Sequence, residues 1–184
     1  MRLPADAVLL IIDAHEAIEG SRQGAGDGRE VETTIAALIA AWRTEGLPLA
    51  HVGRQPFVPA IPPLDGEIVI VRNATSAFIG ADLEARLDEL GATTLVLCGA
   101  FAGSALEATA RHAADLGYQV FVVADACRAA DTIDLRGRVW PAEDVRALAL
   151  ARLKGETATI VDVATTLRAA ATAKARQRRT SGRA

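Results

Sequence analysis

The stretch that decides the fold is Thr94–Ala110, TLVLCGAFAGSALEATA. A run of apolar, partly β-branched residues, TLVLCG, reads as a buried strand. It enters a Gly-containing bend, and an alanine-rich helix starts almost at once. A strand that turns straight into a helix is half of a β-α-β unit. In α/β proteins such a bend carries reactive groups, because the first N–H groups of the helix and its dipole favour negative charge there.

The same alternation runs outward in both directions. Five further apolar runs read as strands: Ala7–Asp13, Pro48–Gly53, Glu67–Arg72, Gln119–Ala124 and Ala158–Val161. Between them, helical spacing marks Val31–Trp42, Asp82–Leu90, Ser104–Leu116 and Pro141–Leu153, with a last helix over Val163–Ala171. Gly91 and Gly117 stand as C-caps, and Pro141 at a first helical turn. Alternating strands and helices predict a three-layer α/β/α sandwich around a six-stranded, mainly parallel, Rossmann-like sheet. The composition agrees: 51% of residues are hydrophobic but only 4% aromatic, so the core is built from Ala, Val, Leu and Ile.

A chain of 184 residues fits one domain, placed at 1–172. Residues 173–184 read as a basic, disordered tail, since KARQRRTSGRA carries Lys174, Arg176, Arg178, Arg179 and Arg183. The formal charge is −3, and without those five cations the body carries about −8. Such a body does not suit nucleic acid. The apolar N-terminal run is too short to span a membrane and runs into Asp13 without a cleavage site, so a cytoplasmic location is expected. The two cysteines, Cys98 and Cys127, form neither a disulfide framework nor a zinc pattern.

Ligands of such sheets bind at the carboxyl ends of the strands, where strand order reverses. Four places qualify: Asp13, Arg72, the bend Cys98–Ser104, and Ala124–Ala130. Asp13 ends an otherwise apolar strand and suits acid–base work, or caps a local turn. Arg72 can hold an anion or pair with Asp13, but it cannot shuttle protons. Ser104 reads as an N-cap, and as a nucleophile only if a base reaches it. Cys98 reads as a buried, inert thiol. Asp13, His15 and His51 make an incomplete zinc set, so no metal and no cofactor are expected. His112 is a packed or solvent-facing helical residue, and the glycine-rich run Gly24–Gly28 a flexible loop without a phosphate-binding signature.

Three stretches carry a family resemblance: VLLIIDAHEA (8–17), RNATSAFIGADLEARLDELGATTLVLCGAFAGSALEATARHAADLGYQVFVVADAC (72–127) and WPAEDVRALALARLKGETATIVD (140–162). From about Val8 to Leu167 the chain resembles the isochorismatase-like, or cysteine hydrolase, family. The resemblance implies the isochorismatase-like hydrolase fold and a small-molecule substrate, with the chain forming a homodimer or homotetramer. It also implies an Asp, Lys and Cys catalytic set at the positions of Asp13, Arg72 and Ala105. Phe101 falls where isochorismatases carry an aromatic, so Phe101, Ser104 and Ala100 are implied to line the substrate cleft. A cis peptide is implied at Ala100–Phe101. The zinc-binding nicotinamidase pattern is missing from Arg54–Gly66.

Two departures change the chemistry that the resemblance implies. Ala105 supplies no thiolate, and Arg72 offers charge without a tunable proton. Three readings stay open. The chain is a Cys-less hydrolase acting through Asp13 on a small anionic or amide-containing metabolite, a non-catalytic ligand-binding or regulatory relative, or a Cys-to-Ala form of an active amidohydrolase. The loops Ala14–Gly28 and Arg54–Gly66 cover the strand ends and carry no diagnostic pattern.

Overall fold

A computed structural model of the chain describes residues 1–14, 28–53, 61–100 and 104–181. Six strands form one parallel sheet: β1 (Val8–Ile12), β2 (Leu49–Gly53), β3 (Ile68–Val71), β4 (Thr94–Ala100), β5 (Gln119–Arg128) and β8 (Thr159–Val161). Their order is β3-β2-β1-β4-β5-β8, so the direction of winding reverses between β1 and β4. The five helices among the described residues are α1 (Gly28–Glu45), α2 (Leu83–Glu89), α3 (Ala105–Asp115), α4 (Ala142–Leu153) and α5 (Val163–Ser181).

β1 is buried at every residue because side-chain alternation sends it into two different cores. Val8, Leu10 and Ile12 join Leu83 and Leu87 of α2, Leu106 and Ala110 of α3, and Leu153 of α4. Leu9 and Ile11 join Ile35, Leu38, Ile39 and Trp42 of α1 with Ala169 and Ala170 of α5. The three layers follow from this division, with Trp42 Nε1 donating to the Ala7 carbonyl at 3.2 Å. No helix among the described residues is long and apolar enough to cross a membrane.

Three features differ from the sequence reading. α5 continues as helix to Ser181, ten residues past the expected end at Ala171, through the segment read as a tail. The side-chain spacing there carries little apolar signal, whereas Ala, Arg, Lys and Gln all favour helix intrinsically. β5 runs on to Arg128, because Leu97 faces Val122 while Gly99 faces Cys127, and the residues between bulge out. Within that bulge, Asp125 accepts the Val163 N–H at 2.9 and 3.1 Å and caps α5. Lastly, β6 (Thr132–Ile133) and β7 (Val139–Trp140) form an antiparallel hairpin. Two-residue strands are too short to show a period.

At the edge of the sheet, Glu67 just before β3 gathers four donors or partners. Arg43 of α1 binds it in a fork at 2.7 and 2.9 Å, the Leu64 N–H donates at 2.9 Å, and His51 Nε2 lies 2.9 Å away. Burial alone would raise the Glu67 pKa, but these hydrogen bonds, led by Arg43, outweigh it and bring it down to about 2. Burial lowers that of His51 against the pull of Glu67.

Two predictions follow from these contacts. A folded-state pKa below the ordinary 4.5 means that ionised Glu67 stabilises the fold fully above pH 4.5. That contribution is lost as pH falls towards about 2. Urea titrations of Glu67→Gln should show lower stability at neutral pH and a flatter decline across that acid range. At the other end of the sheet, a Cβ on Gly99 (φ +132) would sit 1.8 Å from the Ile12 carbonyl oxygen. Gly99→Ala should therefore cost at least about 3 kcal/mol in denaturant unfolding. Gly117→Ala (φ +91), with open space around it, should cost about 1 kcal/mol.

Candidate active site

The close approach at Gly99 brings two functional positions to the same end of the sheet. Ile12 pairs with Gly99 across the β1–β4 boundary, so Asp13 emerges beside the end of β4. This is the point where strand order reverses, the expected place for a ligand.

Asp13 is fully buried and has φ 50, making it the one non-glycine residue in the left-handed region among the described residues. Such a conformation costs of order 1 kcal/mol and needs fixed surroundings. Its N–H is tied to the Val52 carbonyl at 2.8 Å. Its carboxylate is held by Arg72, which follows β3. Nε donates to Oδ1 at 2.9 Å and to Oδ2 at 3.1 Å, and Nη2 donates to Oδ2. Arg72 Nη1 donates in turn to the Ala74 carbonyl at 2.9 Å, and the Arg72 N–H to the Gly53 carbonyl at 3.2 Å. Of the two uses that sequence left open for Arg72, pairing with Asp13 is the one the geometry adopts.

The segment after Arg72 is fastened to α3. The Ala77 N–H donates to Thr109 Oγ1 at 3.1 Å, and Ser76 Oγ lies 3.0 Å from His112 Nδ1. The Phe78 ring packs on the His112 ring at 5.2 Å and on Tyr118 at 6.0 Å. His112 is therefore a packing residue of the helix, one of the two roles its position allowed. The spacing of Thr109 and His112, three residues apart on one helical face, was a legible signal for a docked segment.

Ala105 opens α3 and is 1% exposed, its methyl part of the core that holds Ile12, Leu97 and Phe78. Ser104 stands at the N-cap position, but with φ −141 and ψ −105 its side chain makes no capping bond. Its exposed hydroxyl is thus not committed to the helix, contrary to the expected cap. Ala100 is the last residue of β4, opposite Arg128. Phe101 and His15 lie outside the described residues, as do the implied cis peptide and most of both covering loops.

The two thiols sit in the core. Burial pushes Cys98 well above the ordinary thiol value and Cys127 up to about 12, while Cys127 Sγ donates to the Val123 carbonyl at 3.1 Å. Neither is placed to form a thiolate nucleophile. His51 is committed to Glu67, and the described residues include no group of three or more candidate metal ligands.

What remains is a buried, charge-compensated carboxylate. Arg72 makes one contact to Oδ1 and two to Oδ2, so acceptor capacity persists on Oδ1 for a substrate or water. Removing one partner of such a pair strands the other charge. Arg72→Ala should destabilise the fold by about 3–5 kcal/mol. Arg72→Lys keeps the charge but loses the fork, and should cost distinctly less in the same urea titrations. Equal losses would contradict the paired geometry as the source of the effect.

The sequence model of the isochorismatase domain matches residues 7–165. The isochorismatase family protein YddQ of Bacillus subtilis strain 168 is 30% identical over 169 residues, spanning 83% of this chain and 93% of its own. Among solved structures, an isochorismatase-family protein from Chromobacterium violaceum ATCC 12472 superposes with a TM-score of 0.85 at 34% identity, covering 94% of this chain and 97% of that one. An isochorismatase from Pseudomonas putida KT2440 superposes with a TM-score of 0.79 at 29% identity, covering 90% and 92%. Fold and sequence therefore agree: the chain belongs to the isochorismatase family and is built on its hydrolase scaffold.

Proposed function

We propose that this protein acts on a small metabolite without a covalent acyl-enzyme, using Asp13 as its acid–base group and Arg72 as the anchor that aims it. The observation that supports this most is the residue opening α3. Where the family pattern calls for a nucleophile the chain presents the buried methyl of Ala105, and both of its thiols are buried elsewhere.

In the direct hydrolysis of an amide or ureide, Asp13 Oδ1 accepts a proton from water as the water oxygen adds to the carbonyl carbon. The carbonyl oxygen takes up the electron pair and faces the first N–H groups of α3, which have no partner within the helix. As the tetrahedral centre collapses, the C–N bond breaks and the proton passes to the departing nitrogen. In the vinyl-ether alternative, Asp13 in its protonated form gives its proton to the vinyl carbon, water adds to the oxygen-bearing carbon and returns a proton to Asp13, and the C–O bond then breaks to release the alcohol. Arg72 has N–H hydrogens beyond those bound to Asp13 and Ala74, which suit an anionic group on the substrate.

A second reading has its own support. Both oxygens of Asp13 are engaged by Arg72, an arrangement that also fits a pocket kept for binding a metabolite rather than transforming it.

The test is a paired assay of the chain and of Ala105→Cys against small amides, ureides and isochorismate. The expected result is turnover by the unmodified chain that resists thiol alkylation and falls at least about 100-fold in Asp13→Asn. Turnover by the Ala105→Cys variant alone would show a thiol enzyme lacking its sulfur. Specific binding with no turnover by either version would establish the binding reading.

A further inference from the structure

The segment Ala124–Ala130 lies at the carboxyl end of β5, a strand end that the chemistry of Asp13 and Arg72 does not use. Arg128, the last residue of β5, stands where it does because of the β4–β5 bulge. Leu97 faces Val122, whereas Gly99, two residues on, faces Cys127, five residues on, so β5 carries three extra residues. An unbroken ladder would have set Asp125 opposite Ala100. The bulge instead takes Asp125 out to the N-terminus of α5 and brings Arg128 opposite Ala100. The charge presented at this point of the sheet is thereby reversed, from negative to positive. The displaced segment is held at three points. Cys127 Sγ donates to the Val123 carbonyl at 3.1 Å, Arg146 Nη1 of α4 donates to the Ala124 carbonyl at 3.3 Å, and Asp125 accepts the Val163 N–H. A bulge fastened in this way is a fixed feature that re-aims a side chain, a use bulges have next to active sites.

Register ties Arg128 to the candidate site. Ile12, Gly99 and Cys127 form one row across β1, β4 and β5, and one residue further along each strand stand Asp13, Ala100 and Arg128. Neighbouring strands are about 4.8 Å apart, so the backbones of Asp13 and Arg128 lie about 10 Å from each other at the strand ends. Asp13 and Arg72 balance each other's charge, so their pair orients a ligand but gives an anion no net attraction. Arg128 is half-buried, and its five N–H donors serve contacts within the chain and a ligand together. A planar fork with one positive charge matches a carboxylate, which is planar and carries one negative charge. We propose that Arg128 sets the specificity of the site by holding a carboxylate of the substrate, while Asp13 acts on a bond farther along the same molecule. The substrate class is a short carboxylic acid bearing a terminal amide or ureide. The inference rests on the reading that Asp13 acts on a small metabolite, and adds which end of that metabolite is fixed and by what.

The experiment is calorimetric binding on the full chain, with turnover measured in parallel, using two matched pairs: succinamate with butanamide, and 3-ureidopropanoate with propylurea. In each pair a methyl group replaces the carboxylate. The parent chain should bind the acids about 10- to 100-fold more tightly than their uncharged counterparts, the range of a hydrogen bond to a charged group. Arg128→Gln should bring the acids level with those counterparts. Arg128→Lys, which keeps the charge without the fork, should restore part of the preference. Where the acids are turned over, Arg128→Gln should raise KM more than it lowers kcat, a split that a general loss of structure would not produce. A parent chain with no preference for the acids would overturn the proposal, whatever becomes of the variants. So would a preference that survives in Arg128→Gln. Failure of catalysis reads separately. Acid preference without turnover supports the carboxylate site and counts against the catalytic role of Asp13, while Asp13-dependent turnover indifferent to the carboxylate does the reverse.

Discussion

Where β4 leaves the sheet, its backbone presses so closely on the Ile12 carbonyl that residue 99 has no room for a side chain. Much of the candidate site is placed by this contact. It holds the carboxyl ends of β1 and β4 together at the one boundary where winding reverses, so Asp13 and the end of β4 lie at the same end of the sheet. It also falls next to the β4–β5 bulge, through which Asp125 reaches the N-terminus of α5. A glycine that looks like part of an ordinary bend thus couples the central strands to helices on both faces.

Beyond that contact the site is shaped by one ion pair. A buried salt bridge contributes little net stability, since the desolvation of two charges offsets most of their attraction. Its effect is on orientation. Arg72 approaches Asp13 as a fork and binds the Ala74 carbonyl with its other end, while the following Ser76–Phe78 segment is latched to α3 through Thr109 and His112. Four elements, β1, β3, the segment after β3 and α3, are in this way held in one arrangement. The left-handed backbone at Asp13 is the local strain that this arrangement sustains.

The layered fold was legible because buried strands and amphipathic helices carry their periods in the sequence. VLLII and LVLC are apolar at every position, and Ile35, Leu38, Ile39 and Trp42 repeat at helical spacing. Asp13, Arg72 and Ala105 could be located because each sits at a strand end or helix start. The contact between Asp13 and Arg72 was one of two readings that the residues allowed, and only their distance separates the two. The hairpin was not legible, because its strands are too short for a pattern and its stability comes from one Asp side chain collecting N–H groups. The helical continuation to Ser181 escaped for another reason: a run of charges with few apolar residues reads as a tail even where most of its residues, Ala, Arg, Lys and Gln, favour a helix. Ser104 has the right residue type and position for a cap, but the backbone angles at that turn point its hydroxyl elsewhere.

The two departures from the family pattern are physically consistent with each other. A thiol at position 105 becomes a nucleophile only if a nearby base takes its proton. In the scheme that the family resemblance implies, the base is the carboxylate at Asp13, and its cationic neighbour is a lysine, a compact point charge that leaves most of the carboxylate open. The Arg72 fork instead occupies both oxygens, and twice over on Oδ2. Any group at the head of α3 would then meet a base whose one open site is on Oδ1. With Ala105 in place the site on Oδ1 that Arg72 leaves open has no thiol to serve and is free for water or substrate. On the proposed reading, the pair of changes together keeps one fixed, charge-compensated carboxylate whose open oxygen serves water or substrate in place of a thiol.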